Sequence, residues 1–248
     1  MDVLVVVVFL VSVFVGSYFQ AVTGFALGMI VVAVMGATGL MSIPMATILV
    51  SILSFVNVIL ALRGRWHALH RTLFLWLALG QVIAIWFGVY LVFYLDANAE
   101  QMLRLVLGLF TTLGALSMIL RPHPRATVSG APAAFVAGTA GGIIGGMFAA
   151  SGPILGWFAY RQPLSLDAIR ATLLGCFGVT TSVRMLVVGV QGELTGEIWL
   201  YALVGLPVVL LGTWLGRNYP PPLSDAGTKQ LAFATLFGAG VWILARAI

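Results

Sequence analysis

Two short stretches of this chain combine residue types that can hold an anion without a basic side chain. One is Ser151-Gly152-Pro153, preceded by Gly145-Gly146 and set inside the apolar run from Pro132 to Tyr160. Proline has no N–H and pushes the residue before it away from helical geometry, so a helix must break at Gly152. The same triplet also starts a helix. Ser151 or Gly152 can cap, and Pro153 fits a first turn, where its missing N–H would have had no partner. The other stretch is Thr23-Gly24-Phe25, with Gln20 as a polar neighbour, inside a run from Val3 to Gly39 that carries no charge. A helix start leaves backbone N–H groups unpaired and bears the positive end of the helix dipole. The chemistry offered is therefore anion binding by amides near Gly24, Phe25, Gly152 and Ile154 and by the hydroxyls of Thr23 and Ser151. The competing reading is two helix kinks used for close packing, since Gly and Pro are common in membrane helices.

The elements that position these residues are membrane helices. Of 248 residues, 61% are hydrophobic and 8% charged, against about a quarter charged in soluble domains. The chain reads as an all-α polytopic membrane protein forming a single membrane domain over residues 1–248. A spanning helix needs ~20 residues, so the run from Val3 to Gly39 must be two arms. A net charge of +5 scattered along the chain reports loop topology rather than a nucleic-acid surface. One cysteine rules out an internal disulfide or a cysteine metal cluster, and neither a metal nor a cofactor is expected. Met1-Asp2-Val3 lacks the basic start of a signal peptide, so the first apolar run is read as mature structure. Further helices are expected from Pro44 to about Leu62, Leu73 to Leu95 and onward to Leu120, then from Ile169 to Val190, Ile198 to Leu215 and Thr228 to Ala247. Arg121-Pro122-His123-Pro124-Arg125 is the one linker-like segment.

The plan repeats at an offset of about 122 to 125 residues. Met45-Ala46-Thr47-Ile48 falls opposite Arg170-Ala171-Thr172-Leu173, and Asn57 opposite Ser182. Repeat one covers about 1–121 and repeat two about 130–248. Placing the loops of Arg63/Arg65/Arg71, Arg121/Arg125, Arg161/Arg170 and Arg217/Lys229 in the cytoplasm leaves the acidic turns at Asp96/Glu100 and Glu193/Glu197 outside. Under that assignment each broken segment enters and leaves on one side. The arm after Pro153, roughly ten residues or ~15 Å, is too short for a ~30 Å core, so a re-entrant hairpin is expected there. Each repeat is then one broken, re-entrant hairpin plus three transmembrane helices, and the two repeats are inverted with their tips meeting near the midplane.

Thr47, Ser51, Ser54 and Asn57 lie along one face of the helix after the first hairpin. Such a stripe either joins helices or lines a path. Its counterpart carries Thr172, Cys176, Thr180, Thr181, Ser182 and Arg184, the most interior cation in the chain. Arg184 either draws anions inward or snorkels to the helix end. Cys176 reads as a small packed hydrophobe. No Asp, Glu or Lys lies mid-span, so a carboxylate-based proton or sodium carrier is not visible. Ser151 as a hydrolase nucleophile needs a base in reach, and His67, His70 and His123 all fall in loops. The protein is therefore not expected to be an enzyme.

Gln20-Ala21-Val22-Thr23-Gly24-Phe25-Ala26-Leu27-Gly28, with Ala149-Ala150-Ser151-Gly152-Pro153 and Ile169-Arg170-Ala171-Thr172-Leu173, resembles the TauE/SafE sulfite exporter family from about Phe9 to Trp242. The resemblance implies a multi-pass permease of the bacterial inner membrane that moves sulfite, organosulfonates or related anions. It also implies that Asn57 and Arg184 occupy polar positions recurring in the family. Ser151-Gly152-Pro153-Ile154 stands where many members carry a Gly-Gly-Pro-Pro-like break. The substrate-binding set expected from both lines of reading is Gln20, Thr23, Gly24, Phe25, Asn57, Ser151, Gly152, Pro153 and Arg184. The partners expected are a small anion and the lipid bilayer, not nucleic acid, and a homodimer is left open. A passive anion channel is the alternative function.

Overall fold

The computed structural model describes residues 2–23, 25–119, 125–219 and 225–247, and among them there is no strand. Helices α1 (Val3–Thr23) and α2 (Leu27–Thr38) flank the first break. Next come α3 (Ile43–Leu62), α4 (Arg71–Asn98) and α5 (Glu100–Ile119). Helices α6 (Ala131–Phe148) and α7 (Gly152–Tyr160) flank the second break, followed by α8 (Leu166–Val190), α9 (Gly196–Asn218) and α10 (Asp225–Ala247). Among the described residues six stretches, in α1, α3, α4, α6, α8 and α9, are long and apolar enough to cross a bilayer. The chain is thus an all-α polytopic membrane protein.

Local chemistry sets the helix starts. Ser42, Ser165 and Thr195 each accept a hydrogen bond from the backbone N–H three residues on, at 3.3–3.4 Å, which satisfies one orphan donor apiece. His70 Nδ1 does the same for Leu73 N at 3.3 Å, so this imidazole serves as a cap. Pro44 and Pro132 occupy first turns, as the sequence leads one to expect. The arms at the breaks are unequal. The first arms, α1 and α6, have 21 and 18 residues, whereas the return arms have 12 and 9. At 1.5 Å per residue the return arms reach about 18 and 14 Å, well short of a crossing. Most of the Arg121–Arg125 linker lies outside the described residues; Arg125 itself donates its backbone N–H to Arg161 O at 2.7 Å.

Helices from before that linker pack against helices from after it: α1 on α9, α4 on α6, α3 on α8 and α5 on α10. The α4–α6 seam is built on glycines, with Gly138 against Leu77, Gly142 against Gln81 and Gly146 against Gly88. Gly212 against Ser17 and Gly216 against Tyr18 make the α1–α9 seam. Small residues let backbones approach closely, which is where association free energy comes from when lipid is as apolar as the side chains. Gly88 leaves no room: a Cβ there would run into the Ile143 carbonyl and sit 2.8 Å from Gly146 Cα. Gly88→Val is expected to destabilise by more than the ~1–3 kcal/mol of ordinary overpacking, since backbone cannot move aside as a side chain does. Yield of monodisperse protein on size-exclusion chromatography in detergent checks this, with near-complete loss the expected result.

Two of the pairings are antiparallel. Thr47 and Ser51 of α3 meet Arg184 of α8, while Val58 further along α3 lies by the earlier Gly178. Gln101 of α5 donates to Ala247 O of α10 at 2.8 Å, and Thr112 lies against Gly240.

Candidate functional site

At the first break, Gln20 reaches from α1 across the gap. Its Oε1 accepts from Leu27 N at 3.1 Å, and its Nε2 donates to Asn57 Oδ1 at 2.8 Å and Ser54 Oγ at 3.2 Å. One amide at the start of α2 is therefore already occupied by a side chain of the chain itself. The expectation of an open amide cluster on both return arms holds less well at this tip. Gly24 and the side chain of Thr23 lie outside the described residues.

At the second break, α6 ends on Ala149 in the left-handed region, φ 51°, a conformation that costs an alanine about 1–2 kcal/mol. The residue is held there by Ala149 N donating to Gly145 O at 2.9 Å. Ser151 precedes α7 with no side-chain capping bond, and its hydroxyl lies 3.4 Å from Thr180 Oγ1. Ser151 Oγ is thus beside another hydroxyl, with no hydrogen bond to a histidine among the described residues.

The two tips touch. A Cβ on Gly28 would collide with the Ala149 carbonyl, and one on Gly152 would lie 2.7 Å from the Phe25 ring. Between them is a cavity of about 20 Å³, with Gln20, Phe25, Ser54, Ser151, Gly152 and Thr180 in its wall. That is room for one water, which needs ~10–15 Å³ of such volume, and less than a four-heavy-atom oxyanion needs. Of the expected site residues, Gln20, Phe25, Ser151 and Gly152 come together here. Pro153 does not; it lines a separate groove of about 480 Å³ with Gly114 and Trp157.

One helical turn beyond the cavity on α8 lies Arg184, fully buried. It does not snorkel. Its Nε donates to Ser51 Oγ at 2.9 Å, Nη2 to Thr47 Oγ1 at 2.8 Å, and Nη1 to Gly145 O at 3.5 Å. The two hydroxyls are oriented to accept, because their own protons go to Thr47 O and Pro44 O. Among the described residues no carboxylate balances the charge, and the one salt bridge is Arg104–Glu100. A buried cation with only neutral partners is costly and attracts a counter-anion. In the other direction, one turn beyond Ser54 on α3, lies Asn57. It is fully buried and donates Nδ2 to Thr213 Oγ1 at 2.6 Å. The polar stripe of α3 thus divides, Thr47 and Ser51 to the arginine, Ser54 and Asn57 to the carboxamide of Gln20.

Two participants escaped the sequence reading. Gln81 of α4 is fully buried, accepts from Thr180 Oγ1 at 3.2 Å, and leaves its Nε2 without a partner. A glutamine amid apolar residues was the available signal. Thr213 gave no signal, since one threonine on an apolar helix is ordinary. Cys176 is a buried free thiol, consistent with simple packing. No group of three metal-binding side chains occurs among the described residues.

The sequence matches the profile of the family described as Sulfite exporter TauE/SafE over residues 8–243. It is also 39% identical over 238 residues to a protein of Cupriavidus necator named "Probable sulfite/organosulfonate exporter TauE", covering 94% of this chain and 91% of that one. No solved structure matches it. The six apolar helices and these two matches make it a multi-pass protein of the bacterial inner membrane. The chain belongs to the TauE/SafE sulfite exporter family of membrane transporters.

Proposed function

We propose that the chain carries a small sulfur oxyanion, sulfite or an organosulfonate, out of the cell through the cavity between the two tips. The observation that carries this is the fully buried Arg184 with no carboxylate partner, one turn from a cavity on which two helix starts converge. Positive dipole ends and an uncompensated guanidinium together favour a negative solute. The relative from C. necator bears a name of the same ligand class. At about 20 Å³ the chamber is too small for the anion, and its admission requires the tips to part. Repeat one at about 1–121 and repeat two at about 130–248 form an inverted pair in this reading. It is supported by the antiparallel packing of α3 on α8 and of α5 on α10, helices that hold equal places in the two halves. The basic loops face the cytoplasm. No Asp, Glu or Lys lies mid-span, so the cavity supplies no carboxylate for coupling. A negative interior expels a monovalent anion by ~2.3 kcal/mol per 100 mV, enough to run export downhill.

Thr23, Gly24, Phe25, Ser151, Gly152 and Arg184 contact or attract the anion in this scheme, and Gln20 and Asn57 position the first tip. Ser151→Leu would place an apolar branch in the cavity wall. Sulfite efflux from proteoliposomes is expected to fall at least tenfold while the variant still elutes as a single folded species. Parental flux in Ser151→Leu would remove the cavity from the transport path. Efflux that saturates with sulfite distinguishes the carrier from a passive channel, which needs a continuous pore.

A further inference from the structure

We propose that the pocket between the C-terminal ends of α3 and α9 is an anion-loading vestibule, and that Thr213, Asn57 and Gln20 form the gate between it and the central cavity. The pocket measures about 540 Å³ and is walled by Leu60, Leu210, Thr213, Trp214, Arg217 and Asn218. It is large enough for a sulfonate, whereas the central cavity at about 20 Å³ is not. It lies at the end of the molecule that also carries Arg63, Arg65 and Arg71, since Arg217 Nη1 donates to Leu60 O in the last turn of α3 at 2.6 Å. That bond caps α3. Among the described residues the guanidinium makes no other hydrogen bond, and its remaining N–H groups form the planar fork that matches an oxyanion.

What makes the pocket an antechamber is the path inward from it. Thr213 is in its wall, and Thr213 Oγ1 accepts from Asn57 Nδ2 at 2.6 Å. Asn57 Oδ1 accepts from Gln20 Nε2 at 2.8 Å, and Gln20 is in the wall of the central cavity. Three neutral polar side chains, 2%, 0% and 3% exposed, therefore lead in series from one space to the other. Neutral hydrogen bonds are weaker than those to a charged acceptor, so an incoming anion can exchange them for bonds to itself. Gln20 also holds the start of α2 through Leu27 N. An anion that draws the carboxamide away releases both the gate and the first tip.

The test uses the whole chain in proteoliposomes. In a Cys176→Ala background, Ser54→Cys places a thiol in the cavity wall, and a membrane-impermeant maleimide is added from one face at a time. Thr213→Val is expected to speed labelling at least tenfold from the Arg217 face and not from the other. Equal rates with and without Thr213→Val, or faster labelling from the opposite face, would overturn the gate. Arg217→Gln is expected to raise the KM for sulfite about tenfold from the Arg217 face only, with partial recovery in Arg217→Lys. An unchanged KM, or the same rise from both faces, would overturn the vestibule. So would a rise seen only in vesicles containing phosphatidylglycerol, because it assigns the pocket to a lipid phosphate. The vestibule rests on the anion reading above, but the labelling needs no substrate. Absence of sulfite flux in the parent would therefore defeat that reading while the gate is still tested.

Discussion

Arg184→Met is expected to yield a protein at least as heat-stable as the parent that transports sulfite at least a hundredfold more slowly. The two effects come from the same fact. Arg184 is fully buried and its charge has only hydroxyl and carbonyl partners. Replacing a buried ion by an apolar side chain of similar length is commonly neutral or stabilising, by about 1–4 kcal/mol. Here the substitution strands little. The Ser51 and Thr47 hydroxyl protons are already donated to backbone carbonyls at 2.8 and 2.7 Å. The loss of transport follows because the guanidinium lies one helical turn from the cavity wall at Thr180, and a hundredfold change is ~2.7 kcal/mol, within what one desolvated charge pair supplies. Melting in detergent and flux in proteoliposomes measure the two sides. A fall in melting temperature together with flux would make Arg184 a packing residue; retained flux would remove it from the anion path.

Gly28→Val is expected to stop transport by forcing the tips apart. A Cβ at this position meets the Ala149 carbonyl oxygen, and Val50 Cγ1 is a further 3.3 Å neighbour. The carbonyl belongs to a residue already held in the left-handed region, so it has little freedom to swing away. Overpacking of this sort costs about 1–3 kcal/mol when side chains adjust, and more against backbone. Sulfite exchange should fall at least fiftyfold. Gly178→Ala, whose Cβ would rest 3.5 Å from Val58 Cγ1, should keep near-parental exchange. Equal rates in Gly28→Val and the parent would mean that contact between the tips is dispensable to the transport cycle.

The helix breaks could be read in the chain because their chemistry is local. Ser151-Gly152-Pro153 interrupts a helix wherever it occurs, and counting residues from Pro153 to the next loop already gave a return arm too short to cross; α7 has 9 residues. The fate of Arg184 could not be read. Six residues from a helix end, it had the reach to snorkel, and what decides otherwise is the pair Thr47 and Ser51, more than 130 positions away. Gln20 shows the same limit. Its type and place were visible, but not that Oε1 would take the first amide of α2. Helix lengths drifted too: α4 runs over 28 residues, Arg71–Asn98, beyond the Leu73–Leu95 expected from apolar residues alone, and at its start His70 caps it two residues early.

The pairing of α1 with α9, α3 with α8, α4 with α6 and α5 with α10 has a consequence for how the protein is made. α1, α3, α4 and α5 each leave the ribosome before the helix they pack against most extensively exists. Insertion and assembly are then separate stages, and Gly80 and Gly88 of α4, which close on α6 in the finished fold, first meet only acyl chains. During synthesis the opening half of the chain has its first tip packed, through α2 on α1 and α3, but lacks its largest helix partners, so a premature stop near the linker would leave quality-control proteases a substrate rather than a half-sized transporter.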